Sequence, residues 1–379
     1  MQPKSTQPNY PGIDLLRALA AMLVLVYHVI EVGGWSGFPT TGAYIPWRQG
    51  WIGVDLFFTI SGFVIALSAL DGLQREGLQF RKSFAVRRLA RIVPLYLLTC
   101  AAFLALIKPS YLQLSPYVLI THIGSHLLFL HNLNPHTHGS INGPSWSIAL
   151  EMQFYLLMIW VTPRLVRASP VRLAIGAMVV AASWRFLMTI LLVPGEAEPI
   201  LQLVYTTQLP GVIDQFALGI ALAMTIRQHS GFALRYLLPG WRNFSGWFLL
   251  AGCLLGLANS IFHTSSYWQS TAMIVGWRPL LGAGFAALLA AAICFPWANA
   301  RALAPIRYVG TISYGIYLWH MLVLLALTAN APGVKGSGLL IYTLVSTLAL
   351  AFLTWNLLEK PNLQRYGRSP SPVLRESPP

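Results

Sequence analysis

The sequence predicts an all-α integral membrane protein, a bundle of ten transmembrane helices or of eleven. Three observations predict it. Of 379 residues, 56% are hydrophobic and only 9% charged, against about a quarter charged in an ordinary soluble domain. Several apolar runs exceed the roughly 18 residues that a bilayer core demands of a helix. Lys and Arg crowd into alternate segments between those runs, as expected when cytoplasmic loops are enriched in both.

The first run, 13–33, follows a short polar leader. At about twenty residues it is longer than the core of a secretion signal and reads as an uncleaved helix. Pro, Gly and charge then bound spans at 50–70, 92–108, 145–162, 171–193, 211–226, 244–262, 272–297, 309–329 and 338–358. The stretch 111–133 contains "THIGSHLLFLHN", whose histidines interrupt the apolar positions. It reads as interfacial or re-entrant, which is permissible where protein covers the backbone, or as an eleventh span. Residues 1–361 form one transmembrane domain, and 362–379 read as a cytoplasmic tail, Pro- and Ser-rich from Ser369 and so disordered.

With the N-terminus inside, nineteen of the 25 Lys and Arg residues fall on the cytoplasmic side. Three, Arg48, Lys108 and Lys335, fall outside, and Arg17, Arg185 and Arg278 lie within spans. That asymmetry puts both termini in the cytoplasm of a multi-pass protein of the plasma (inner) membrane. The formal charge of +14 therefore reflects topology, and no basic face with interleaved aromatics speaks for nucleic acid. Cys100, Cys253 and Cys294 sit inside apolar runs without the spacing of a metal site or a disulfide framework. No internal repeat is evident, which argues against a transporter built from duplicated halves.

Buried ionisable groups point to function, because charge inside a bilayer is costly. Arg17 and His28 are eleven residues apart in "LRALAAMLVLVYH", about three turns, so both leave one helix face roughly 16 Å apart along the axis. Snorkelling of Arg17 and a helix-packing role for His28 are the plain alternatives. His28, Glu151, Asp55, Asp214 and Arg278 lie at one depth near the outer ends of their spans, with Arg185 and His320 somewhat deeper. Together they imply a polar cavity opening outward. A neutral imidazole there can take a proton from an alcohol, oriented by a carboxylate from Glu151, Glu31 or Asp55. No Gly-x-Ser-x-Gly elbow and no helical His pair with zinc spacing is present. His136 and His138 sit in a polar loop, and no metal is expected.

At the opposite end, "RKSFAVRRLARIVPLY" places Arg88 and Arg91 on one helix side, where they can grip phosphate oxygens or anchor the chain to anionic lipid. Tyr317 and His320 share a helix face and either line the cavity or pack. Trp146 can stack on a sugar ring or mark the interface. Asp55 and Asp214 can bind acceptor hydroxyls, or pair structurally with Arg185 and Arg278. His122, His126 and His131 read as interfacial or packing groups.

"IDLLRALAAMLVLVYH", "GWIGVDLFFTISGFVIA", "RRLARIVPLY", "NGPSWSIALEMQFYLL", "ISYGIYLWHMLV" and "LLEKP" follow one another from residue 13 to 361. In that order they resemble the motifs of the membrane-bound acyltransferase-3 family of O-acyltransferases. The resemblance implies a multi-helix enzyme that moves an acyl group, usually acetyl, from cytoplasmic acyl-coenzyme A to a hydroxyl. The acceptor is a cell-envelope glycan, another carbohydrate, a lipid-linked sugar, or a small molecule such as a macrolide. By the same resemblance His28 is the catalytic histidine with Arg17 its partner. Arg88 and Arg91 are the pair linked to donor binding, and Glu151 is the acid after Ser-Trp-Ser. No cofactor is expected to be bound permanently. Some members carry an extracellular esterase-like domain after the last helix; none is expected here. The rival expectation is a membrane transporter or lipid translocator, whose solute pathways also use buried charge.

Overall fold

The computed structural model describes residues 10–194, 196–228, 234–264 and 267–366. Residues 367–379 of the expected tail lie outside them. Among the described residues the chain is all-helical, with no strand. The helices of seven residues or more are α1 (Pro11–Glu31), α2 (Gly53–Glu76), α3 (Phe80–Leu106), α4 (Pro116–Leu127), α5 (Trp146–Leu165), α6 (Pro170–Leu191) and α7 (Pro199–Thr206). They continue with α8 (Leu209–Arg227), α9 (Trp241–Thr264), α10 (Thr271–Cys294), α11 (Ala304–Thr311), α12 (Ser313–Asn330), α13 (Gly336–Thr354) and α14 (Lys360–Tyr366). Many open on a proline in the first turn, α1, α4, α6, α7 and α8 among them, where the missing N–H costs no helical bond.

All ten predicted intervals fall on helices. By length and apolarity alone, seven stretches among the described residues can cross a membrane, or eight with a pair bent by 61°. Two features reconcile this count with ten. The stretch Gly50–Leu106 contains both α2 and α3, which part at Gly77, where φ is +55° and glycine has no Cβ to clash. Helix α5 is long enough at 20 residues but carries Glu151 and Gln153 among its apolar side chains. The bent pair is α11 and α12. The eleventh span is not formed: α4 has 12 residues, about 18 Å of helix, well short of a roughly 30 Å hydrocarbon core.

Helix α1 packs against α2, α10, α11, α12 and α13 and buries mostly Ala, Val and Leu. Helices α2 and α8 meet through reciprocal glycines. A Cβ on Gly62 would strike the Phe216 carbonyl, and one on Gly219 the Thr59 carbonyl. Small residues at such crossings let backbones approach, and dispersion then holds them where no hydrophobic effect operates between lipid-embedded helices. This close core fixes α1 against α2 and α12, and so positions the candidate site.

Candidate active site

Three cavities follow one another through the bundle. The first, about 320 Å³, opens among Tyr10, Asp14, Arg17, Asp71, Arg88 and Arg91. The second, about 100 Å³, shares Arg17, Arg88, Arg91 and Val64 with it and adds Ser61, Ser147, Glu151, Tyr155 and Tyr317. The third, about 520 Å³, shares Val54 and Tyr317 with the second and is lined by His28, Asp55 and Trp146. Arginines stand at one end of this path and an imidazole at the other.

The two depths on α1 give the path its polarity. Arg17 bridges the first two cavities and is held by Asp14 at 3.1 Å. His28 faces the third. Its Nδ1 lies 2.9 Å from the Val24 carbonyl and 3.1 Å from His320 Nε2. The α11–α12 bend carries His320 there, and the ring is buried, with Nδ1 2.7 Å from the Tyr317 carbonyl.

Among the described residues no carboxylate is hydrogen-bonded to His28, and a second histidine lies against its ring instead. Glu151 sits in the middle cavity instead. It accepts hydrogen bonds from Ser61 Oγ at 2.9 Å and from Tyr155 Oη at 2.7 Å. Tyr155 is one turn beyond Glu151 on α5, a pairing legible in sequence; Ser61 is far away in the chain and carried no signal. Arg88 is packed over the rings of Phe84 and Tyr155, with its guanidinium carbon 5.4 and 5.6 Å from their centres. Its Nε has no hydrogen-bond partner, and the stacking presents a prepaid cation to the cavity. Arg91 lines both inner cavities beside it.

Tyr317 stands where the second and third cavities meet. Its hydroxyl donates to the Pro144 carbonyl at 2.8 Å and lies 2.7 Å from Ser147 Oγ. Asp55 lines the outer cavity but receives Arg278 Nη1 at 2.6 Å, while Arg278 Nε donates to Tyr267 Oη at 3.2 Å. Asp214 lines none of the three cavities. Its carboxylate receives Arg185 Nη2 at 2.6 Å, with both side chains fully buried, so the structural alternative describes it better than hydroxyl binding.

Trp146 lines the outer cavity and stacks on His138, with ring centres 5.3 Å apart. Burial pushes the imidazoles of His138 and His131 down to about 4, so both rings are neutral at pH 7 and pack as flat aromatic surfaces. His126 and His131 stack at 4.0 Å. Trp51, Trp268, Tyr27 and Tyr267 complete an aromatic lining of the outer cavity that the apolar pattern of the sequence did not single out.

Residues 10–356 match the Acyltransferase domain family, a span that contains every residue named above for the three cavities. The chain belongs to the membrane-bound acyltransferase-3 family. It is 27% identical over 383 residues to a peptidoglycan O-acetyltransferase of Listeria monocytogenes, covering 93% of this chain and 55% of that protein. It is also 27% identical over 376 residues to a Bacillus subtilis protein provisionally named a peptidoglycan O-acetyltransferase, with 93% and 54% covered. A Komagataeibacter xylinus protein provisionally named a membrane-bound transacylase matches at 26%, over 94% of this chain and 84% of its own length. The chain thus spans about half the length of the first two relatives. No solved structure matches it.

Proposed function

We propose that this family member transfers an acyl group, acetyl in the simplest case, from acyl-coenzyme A to a carbohydrate hydroxyl across the plasma membrane. One observation carries the reading: abutting cavities run from three arginines to His28, which lines the outermost of them. The relatives named for peptidoglycan O-acetylation favour a glycan acceptor. The Lys and Arg asymmetry of the loops supports a cytoplasmic arginine end and cytoplasmic termini.

In this mechanism Arg17, Arg88 and Arg91 hold donor phosphate at the inner mouth, and the thioester arm reaches past Glu151 and Tyr317. The acceptor sugar enters the outer cavity against Trp146 and its aromatic neighbours, which offer flat apolar faces to the ring's C–H surface. Asp55, already tied to Arg278, presents its remaining acceptor capacity to hydroxyls. The acceptor O–H gives its proton to His28 Nε2 while the oxygen attacks the thioester carbon. The C–S bond breaks as the C–O bond stays, and His28 returns the proton to the departing thiolate. Glu151, bound by Ser61 and Tyr155, offers negative charge to Arg17 and Arg88 from the far side of the cavity.

The decisive test supplies labelled acetyl-coenzyme A to the purified full chain in nanodiscs with peptidoglycan fragments as acceptor. Alkali-labile label on the glycan is expected. Solute movement without label transfer would move the protein to the transporter class. Arg88→Ala removes one charge-assisted phosphate contact worth about 1.5–3 kcal/mol, so the donor dissociation constant should rise roughly 10- to 100-fold with kcat little changed. An unaltered donor affinity, read by calorimetry, would return Arg88 to a lipid-anchoring role.

A further inference from the structure

The contact between His28 and His320 carries information that neither ring holds alone. His320 Nδ1 lies 2.7 Å from the Tyr317 carbonyl and 3.3 Å from that of Ile316. Carbonyl oxygens only accept, so Nδ1 of His320 carries the proton and Nε2 holds a lone pair. His28 Nδ1 then faces two acceptors, that lone pair at 3.1 Å and the Val24 carbonyl at 2.9 Å. It must carry its proton too, because the opposite tautomer would bring three lone pairs together. The rings are tilted by 43° with centres 5.0 Å apart, an edge contact compatible with N–H···N and not a face stack.

Resting on the reading of His28 as base, we infer that His320 is the positioning residue that holds His28 in the Nδ1–H form, leaving the Nε2 lone pair for the acceptor hydroxyl. The same contact serves the next step. When His28 Nε2 takes the alcohol proton the ring becomes a cation, and its Nδ1–H bond to His320 becomes charge-assisted and stronger. Nothing is consumed: the O–H and C–S bonds break, the C–O and S–H bonds form, and His320 keeps its proton throughout. A neutral acceptor does here what a carboxylate does in other histidine pairs, without placing a second charge in the bilayer, where each charge costs several kcal/mol.

The test compares His320→Leu, His320→Gln and His320→Asn in the full chain, with donor binding and kcat measured separately. Leu offers no acceptor. Gln can place an amide oxygen where Nε2 lies, and Asn is too short to reach. His320→Leu is expected to lose roughly 10- to 100-fold in kcat, by analogy with the loss when a partner orienting a metal-ligating histidine is removed, with donor affinity retained and activity largely recovered in His320→Gln. Full kcat in a donor-binding His320→Leu protein, or a Gln variant as impaired as Leu, overturns the inference. If the Leu variant fails to bind donor, Gln against Asn decides: equal rates overturn it, and a faster Gln supports it. A His28→Ala control separates the two layers. Loss of turnover there with full turnover in His320→Leu removes only the role of His320, whereas an active His28→Ala removes the base itself.

Discussion

His28→Ala is expected to lower kcat by roughly 10²- to 10⁴-fold, the usual contribution of a positioned general base, while leaving acyl-coenzyme A binding almost untouched. The separation of the two functions along α1 makes this a sharp expectation. Arg17, Arg88 and Arg91, the proposed donor-phosphate contacts, line the first two cavities, and His28 lines only the third, about 16 Å further along the helix. Alanine removes the proton acceptor without touching the arginines or the packing of the inner half of α1. Single-turnover transfer of labelled acetyl, measured beside equilibrium donor binding, checks it. Wild-type turnover would refute the base assignment, and joint loss of binding and turnover would mean that the mutation had disturbed the bundle.

The largest effect on stability should come from Asp214→Ala. Arg185 has no exposure at all, and Asp214 is its charge partner at 2.6 Å. Its Nε and Nη1 already lack partners. Removing Asp214 leaves an uncompensated guanidinium inside the bundle, for which about 3–5 kcal/mol of destabilisation is typical. The double replacement Arg185→Leu, Asp214→Leu should recover much of that, because two apolar side chains need no desolvation penalty repaid. Thermal unfolding in nanodiscs would show a large drop for the single variant and a partial return for the double. If Asp214→Ala instead melted normally and raised only the acceptor KM, the carboxylate would be a hydroxyl-binding group after all.

The two aspartates illustrate how far sequence reasoning reaches. Asp55 and Asp214 look alike in the chain, each an acid near the outer end of an apolar run with a buried arginine available elsewhere. Helix packing alone separates them: α2 turns Asp55 toward the outer cavity with Arg278, whereas α6 and α8 enclose Asp214 with Arg185. Glu151 shows the same limit. Its place after Ser-Trp-Ser marks it, but only the crossing of α2 over α5 brings Ser61 to its carboxylate and draws it away from His28.

Spans, their order and the two depths of Arg17 and His28 were set by the chain itself. Apolar run length against bilayer thickness and 1.5 Å per residue are local rules that need no partner. The pairing of His28 with His320, 292 positions apart, depended on the bend between α11 and α12 and on how α12 lies against α1. Contacts between distant helices follow from shape, through small residues and the absence of voids, and shape exists only once the bundle is assembled.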